Sequence, residues 1–226
     1  SGGLARNIEQ CLNDFGIPLK LSHTVVEIHG KDRIEGVTIA KVDERRRPIE
    51  ETKEYITCDT LLLSVGLIPE NELSLQAGIA LDPVTGGPIV DQNRQTSQEG
   101  IFACGNVLHV HDLVDFVSEE AEIAGHSAAA FVRGKLGADR DISLVTDGKI
   151  RYTVPRRITQ GKDVTVYFRV ADRYRNVKIT VRRDGEAVYS VKKPRTAPGE
   201  MESIRIKEAL LEGAGELKLE LEGERD

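Results

Sequence analysis

The 226-residue sequence contains no tryptophan, one methionine (Met201), three cysteines and 4% aromatic residues. Each scarcity excludes something. No window approaches 18 uncharged apolar residues, so no transmembrane helix is expected. No basic stretch leads into an apolar core, so no signal peptide is read. Cys11, Cys58 and Cys104 are odd in number and widely spaced, which fits neither a disulfide framework nor a zinc pattern. A reducing, cytoplasmic compartment is the expectation. In the second half only Tyr152, Tyr167, Tyr174 and Tyr189 offer stacking surfaces, which disfavours nucleic acid as a partner. The chain opens on Ser1-Gly2-Gly3 rather than Met. It is therefore expected to be a processed or excised piece of something longer.

What is present divides in two. Residues 1–147 carry 13 basic and 24 acidic side chains; residues 148–226 carry 18 and 13. An asymmetry of this size predicts two regions with different surroundings. The change falls in the polar stretch 137–148, which reads as a connecting loop.

The first half mixes helix and strand. Leu4, Ile8, Cys11, Leu12 and Phe15 keep helical spacing up to Gly16. A strand around Leu19–Ile28 and two alternating segments, Ile34–Val42 and Tyr55–Cys58, predict a β-meander. Arg45, Arg46 and Arg47 fall on its long turn and read as a solvated tip. Thr60–Val65 is a continuous apolar run ended by Gly66, the pattern of a strand buried on both faces of a parallel sheet. Ile89-Val90 and Ile101–Cys104 read as further short strands. A long helix is predicted over Val114–Val132, with Phe116, Val117, Ile123, Ala124, Ala128 and Phe131 as its buried stripe.

The second half predicts six strands: Ile150–Val154, Val164–Val170, Val177–Val181, Ala187–Val191, Ser203–Lys207 and Leu217–Leu221. Their period-2 patterning indicates a small antiparallel sandwich or barrel. Arg169, Lys178, Arg182, Lys192 and Lys193 fall on outward positions, where they either keep the sheet soluble or dock an acidic partner.

Three stretches over residues 57–134 carry a family signature. They are Cys58–Asn71, with Gly66 and Pro69; Gly87-Pro-Ile-Val-Asp91 followed by Thr96-Ser97; and Gly100-Ile-Phe-Ala-Cys-Gly-Asn106. In this order, and followed by a long Ala-rich helix, they resemble the two-dinucleotide-binding-domain flavoproteins. These are the pyridine nucleotide–disulfide oxidoreductases, thioredoxin reductases and NADH oxidases. The resemblance implies an α/β fold, partial here and joined by the β-meander; it does not reach the small all-β, sandwich-like domain that the period-2 patterning predicts after it. It implies that residues 1–71 are the later part of an NAD(P)H-binding domain and 72–136 the returning part of an FAD-binding domain. The accessory β-domain is then 148–226. Within the family, the pattern is similar to flavoprotein subunits of the sarcosine-oxidase-α and glycerol-3-phosphate-dehydrogenase-associated kinds.

The resemblance also assigns residues. Gly66, Pro69, Cys104, Gly105 and Asn106 fall at cofactor positions, with Asn106 where the family has an acid that accepts from a ribityl hydroxyl of FAD. Val114, Asp115 and Phe116 fall at the helix start that faces the flavin, with Asp115 as the expected N-cap. His109 and His111 lie between these elements. One reading gives them a catalytic role near the flavin, relaying a proton or tuning its potential. The other makes them surface imidazoles of a polar loop. No metal is assigned, because the sequence identifies no third ligand.

Neither of the two Gly-x-Gly-x-x-Gly loops that the family uses for FAD and NAD(P)H occurs in these 226 residues. The expectation is thus an oxidoreductase fragment, inactive alone, with a redox subunit or a second copy as partner. The competing expectation is a non-catalytic assembly module that docks a partner through the basic β-domain.

Overall fold

A computed structural model describes residues 8–139 and 141–226. The chain forms two compact units, Ser1–Gly66 and Leu67–Asp226.

In the first unit a helical turn of π type spans Ile8–Asn13. The earlier part of the expected helix, Leu4 included, lies outside the described residues. The meander forms as the alternation predicts, with β1 (His23–His29), β2 (Gly36–Lys41) and β3 (Glu54–Thr57) antiparallel in that order. Central β2 carries the buried side chains Val37, Ile39 and Ala40. At the turn, Asp43 binds Arg47 at 3.1 Å, and Arg46 adopts a positive φ.

The expected strand at Thr60–Val65 is not formed. The segment is irregular, with Leu62 87% and Val65 78% exposed. A strand exists only through its ladder partners, and no described segment pairs with this one.

The second unit begins with the short helix α1 (Glu72–Gln76) and a run of tight turns. The expected strands at Ile89-Val90 and Ile101–Cys104 shrink to single bridges, Pro88 with Leu81, Asp91 with Arg157 and Phe102 with Gln95. Helix α2 spans Val114–Val132, the predicted bounds. Two positions on its inward side are polar: Glu120 and Ser127 are buried alongside Ala124.

The β-rich part contains eight strands. They are β4 (Ile142–Thr146), β5 (Ile150–Val154), β6 (Arg157–Ile158), β7 (Val164–Val170), β8 (Tyr174–Arg183), β9 (Glu186–Thr196), β10 (Glu202–Ile206) and β11 (Gly215–Arg225). One sheet runs β10-β7-β5 and the other β6-β4-β11-β8-β9. Phe168, Ile179, Val181, Ile206, Leu217 and Leu219 are among the side chains of their shared core. All six predicted strands are present. The stretch read as a connecting loop is corrected: it holds β4, which pairs in parallel with β11 and buries Ile142 and Leu144. Its short alternation was masked by the polar residues before it.

The sheets pack onto the α2 region within the same unit. Tyr152 and Val154 join Val90, Ala103 and Leu108 in a second apolar cluster. Around it, Arg156 binds Asp82 at 2.9 Å, the Thr159 hydroxyl donates to Asp91 at 2.8 Å, and Arg169 pairs with Asp112. Arg169, expected on the solvated face, is therefore an internal tie. Arg182 and Lys193 are also paired within the chain, with Glu220 and Glu202.

Candidate functional site

The three signature stretches meet at one turn. Gly105–Val107 forms a 3-10 turn that starts from extended Cys104. Gly105 has φ +71, a left-handed conformation that glycine adopts without strain. Asn71, the last residue of the first stretch, is buried and donates through Nδ2 to the carbonyls of Gly86, at 2.9 Å, and Val107, at 2.8 Å. Its Oδ1 accepts from Ser74 at 2.8 Å. Gly87, from the second stretch, lies directly against the backbone of Leu108.

Behind the turn lies a carboxylate that the sequence reading did not single out. Glu120 is 0% exposed. Its Oε1 is 3.0 Å from His109 Nε2, and its Oε2 is 2.9 Å from His111 Nε2. Oε2 also accepts the Gly105 N–H at 3.0 Å. Arg94, 1% exposed, brings Nε to 3.2 Å from Oε1 in an ionic contact that lacks hydrogen-bond alignment. Three hydrogen-bond donors and one ionic contact thus occupy the two oxygens of this carboxylate. Both imidazoles then carry their proton on Nε2, leaving each Nδ1 buried and unpartnered among the described residues.

The charges support this arrangement. Burial on its own raises the pKa of the Glu120 carboxyl, but hydrogen bonds from His109 and His111, with the charge of Arg94, outweigh it. The carboxyl is held well below the usual range. Burial lowers the pKa of His109 despite its bond to Glu120, so His109 is neutral at pH 7. One anion therefore faces one cation and the neutral ring of His109.

The same three ligand atoms, from His109, His111 and Glu120, lie within 4.8 Å of one another, close enough to hold a metal ion. The hydrogen-bonded arrangement explains the cluster better. A divalent cation would displace both Nε2 protons and leave Arg94 beside a second positive centre in a buried site.

Both shifts make the unit acid-sensitive. His109 has a folded pKa below its unfolded value of about 6.5. As pH falls past that value, the unfolded chain takes up a proton that the folded one does not, and stability drops. Glu120 adds stability that is present above its unfolded value of about 4.5 and is lost as pH falls further. The urea midpoint of the Leu67–Asp226 unit is expected to decline from pH 7 to pH 4. A midpoint that stays flat through this range would contradict the proton assignments.

The other expected residues separate into two places. Cys104 is half-buried, and burial followed by the nearby Glu120 charge raises its thiol pKa, so it packs as a neutral thiol. Asn106 is exposed, and its Oδ1 accepts the His111 N–H at 3.1 Å. Val114, 74% exposed, and Asp115 lie in the open first turn of α2, while Phe116 is half-buried there. The cap is corrected: Leu113 holds the N-cap position, with no side-chain cap bond, and Asp115 lies inside the first turn. The chain's own turn and helix start therefore leave backbone donors uncovered beside Asn106. Gly66 is exposed at the end of the first unit, with nothing within 4 Å of where a Cβ would stand, and Pro69 is half-buried at the start of the second.

His109 and His111 are thus not surface imidazoles. The signal that could have located the hub was a glutamate at an inward position of an otherwise Ala-rich helix stripe.

Comparison with known proteins agrees with the motif reading. The pyridine nucleotide-disulphide oxidoreductase family profile matches residues 3–130, more than half of the chain, and the chain belongs to this family. Among its relatives is the ferredoxin reductase component of chlorobenzene dioxygenase from Cupriavidus sp., 34% identical over 95 residues. That match covers 42% of this chain and 20% of the relative. Hydrogen cyanide synthase subunit HcnB from Pseudomonas aeruginosa is 39% identical over 117 residues, 50% of this chain and 24% of the relative. An NADH oxidase from Methanocaldococcus jannaschii is 26% identical over 133 residues, 59% of this chain and 26% of the relative. The matches thus span about a quarter or less of the relatives' lengths. Two of the three are named as a component or subunit of a larger system. No described helix is long and apolar enough to cross a membrane.

Proposed function

We propose that this chain is the C-terminal part of an FAD-dependent NAD(P)H oxidoreductase that passes electrons to a partner subunit or a small-molecule substrate. In this reading residues 1–71 belong to the NAD(P)H-binding domain and 72–136 to the FAD-binding domain, with 148–226 as an accessory β-domain. The observation that carries it is the turn at Gly105-Asn106 beside the uncapped start of α2, within a segment that the family profile covers.

The residues present fit the flavin side of such a site. Gly105 allows close backbone approach, and Asn106 offers an exposed amide. The open N–H groups of α2 stabilise negative charge placed against them. Flavin, when bound, supplies two-electron uptake from NAD(P)H and onward transfer. The chain's part is to hold this turn in place, through Asn71 from one side and Glu120 from the other. His109 and His111 act as positioning residues, because both rings turn their Nε2 toward Glu120.

The 226-residue chain alone is expected to show no NAD(P)H oxidation, since it carries neither glycine-rich phosphate loop. A longer protein that includes such loops is expected to purify yellow and to bleach under NADH or NADPH without oxygen. A colourless longer protein that does not respond to either nucleotide would sink the reading.

A further inference from the structure

Strand β7 is covered on both faces. Val164, Val166, Phe168 and Val170 enter the core shared by the two sheets. The alternate positions Tyr167 and Arg169 therefore share the opposite face, which meets the start of α2 within the same unit. Tyr167 is buried and donates its hydroxyl to Glu119 at 2.9 Å. Its ring meets Phe116 edge-on, with centroids 5.8 Å apart. Burial, with Glu119 as acceptor, pushes the hydroxyl pKa up to about 12, so Tyr167 remains a donor. Arg169 pairs with Asp112 and also donates from Nη2 to the Val110 carbonyl at 3.0 Å. Asp112 in turn accepts the N–H of Met201, from the connection between β9 and β10. Side chains two residues apart on one strand thus hold the chain on either side of the first turn of α2, at 110–112 and at 116–119.

The Arg169 contact also settles a charge. Helix α2 starts without a side-chain cap, and its first N–H groups have no acceptor within the helix. Asp115 already places one exposed carboxylate in this turn. Asp112 lies just before the N-cap residue Leu113. Unpaired, it would add a second negative charge at the positive end of the helix and weaken its hold on an anion. It is instead matched by Arg169, whose side chain is only 16% exposed.

We propose that the β-domain is a working part of the cofactor site: Tyr167 and Arg169 are positioning residues for the start of α2, and Arg169 keeps the Asp112 charge from opposing an anion there. The charge role rests on the flavin reading; the positioning role does not.

Hydrogen exchange on the 226-residue chain tests the positioning role. The amides of Val117–Glu120 are the first that can bond within α2, so they report opening of its first turn. Arg169→Met is expected to speed their exchange at least about tenfold and Tyr167→Phe at least about threefold, with the last turn of α2 unchanged. Unchanged exchange in either folded variant overturns the positioning role. The charge role is read in the flavin midpoint potential of a longer protein that carries the glycine-rich loops. Arg169→Met leaves Asp112 uncompensated and is expected to lower the preference for reduced over oxidised flavin at least about threefold. Asp112→Asn can still accept the Met201 N–H, leaves Arg169 its charge, and is expected to raise that preference. Loosening of the turn would move both variants the same way, so opposite signs mark the charge. Unchanged potentials, or shifts of one sign, overturn the charge role. If Arg169→Met does not fold, Tyr167→Phe and Asp112→Asn decide the two roles. A longer protein that binds no flavin refutes the flavin reading and the charge role with it, while the exchange result still judges the positioning.

Discussion

Glu120→Gln is expected to lower the stability of the Leu67–Asp226 unit by about 3–5 kcal/mol, the usual cost of breaking a buried ion pair from one side. The substitution keeps the shape and removes the charge. Arg94 would remain buried with no anion in reach, since Glu120 is its ion-pair partner. The amide adds a second fault. Its NH₂ group would have to face either His109 Nε2 and Arg94, or His111 Nε2 and the Gly105 N–H. In the wild-type arrangement the two imidazoles and the Gly105 N–H donate to Glu120, and Arg94 faces it as a cation. An imidazole can switch tautomer to accept, but an arginine or a backbone N–H cannot. The loss is therefore expected at one oxygen or the other. Scanning calorimetry or urea titration reads it, and a midpoint within about 1 °C of wild type would refute the hub around Glu120. The variant should also loosen the Gly105 turn, which would appear as faster amide exchange at Gly105.

Gly87→Ala is expected to cost about 2–3 kcal/mol, by steric overlap rather than charge. A Cβ at this position would stand 1.7 Å from the carbonyl oxygen of Leu108 and 2.5 Å from its carbonyl carbon. Both are backbone atoms, so no rotamer change relieves the contact. The segment at Gly87-Pro88 or the turn after Asn106 must shift. The Asn71 bond to the Val107 carbonyl spans the same gap and would lengthen with it. As a control, Gly125→Ala adds a Cβ with nothing within 4 Å, on a helix, and is expected to be neutral or slightly stabilising. Equal stability of Gly87→Ala and wild type would show that the two segments are not held in contact.

Both predictions concern how the turn is held rather than what it touches, and this part was least legible in the sequence. The motif residues themselves were readable because they depend on local conformation. Gly105 needs a left-handed backbone, and Gly100-Ile-Phe-Ala-Cys-Gly-Asn106 is recognisable without any partner. The bounds of α2, the β-meander and the six accessory strands followed from periodicity, which is a property of consecutive residues. The run Thr60–Val65 was as apolar as any strand, yet apolarity does not supply a ladder. The polar stretch 137–148 hid β4 because its partner β11 lies some 70 residues later.

The sequence by itself thus determined the family, the helix and most of the strands, since these rest on short-range pattern and backbone preference. Only the tertiary structure decided the roles of the ionisable groups. His109 and His111 could have been solvated or functional. They became buried partners of Glu120 because α2 carries that carboxylate beneath the turn, and Arg94 arrives from a separate loop to balance it. Arg169 likewise ceased to be a surface charge once the sheet carried it to Asp112. Electrostatic roles depend on distance and burial through space, and neither quantity is written in the spacing of residues along a chain.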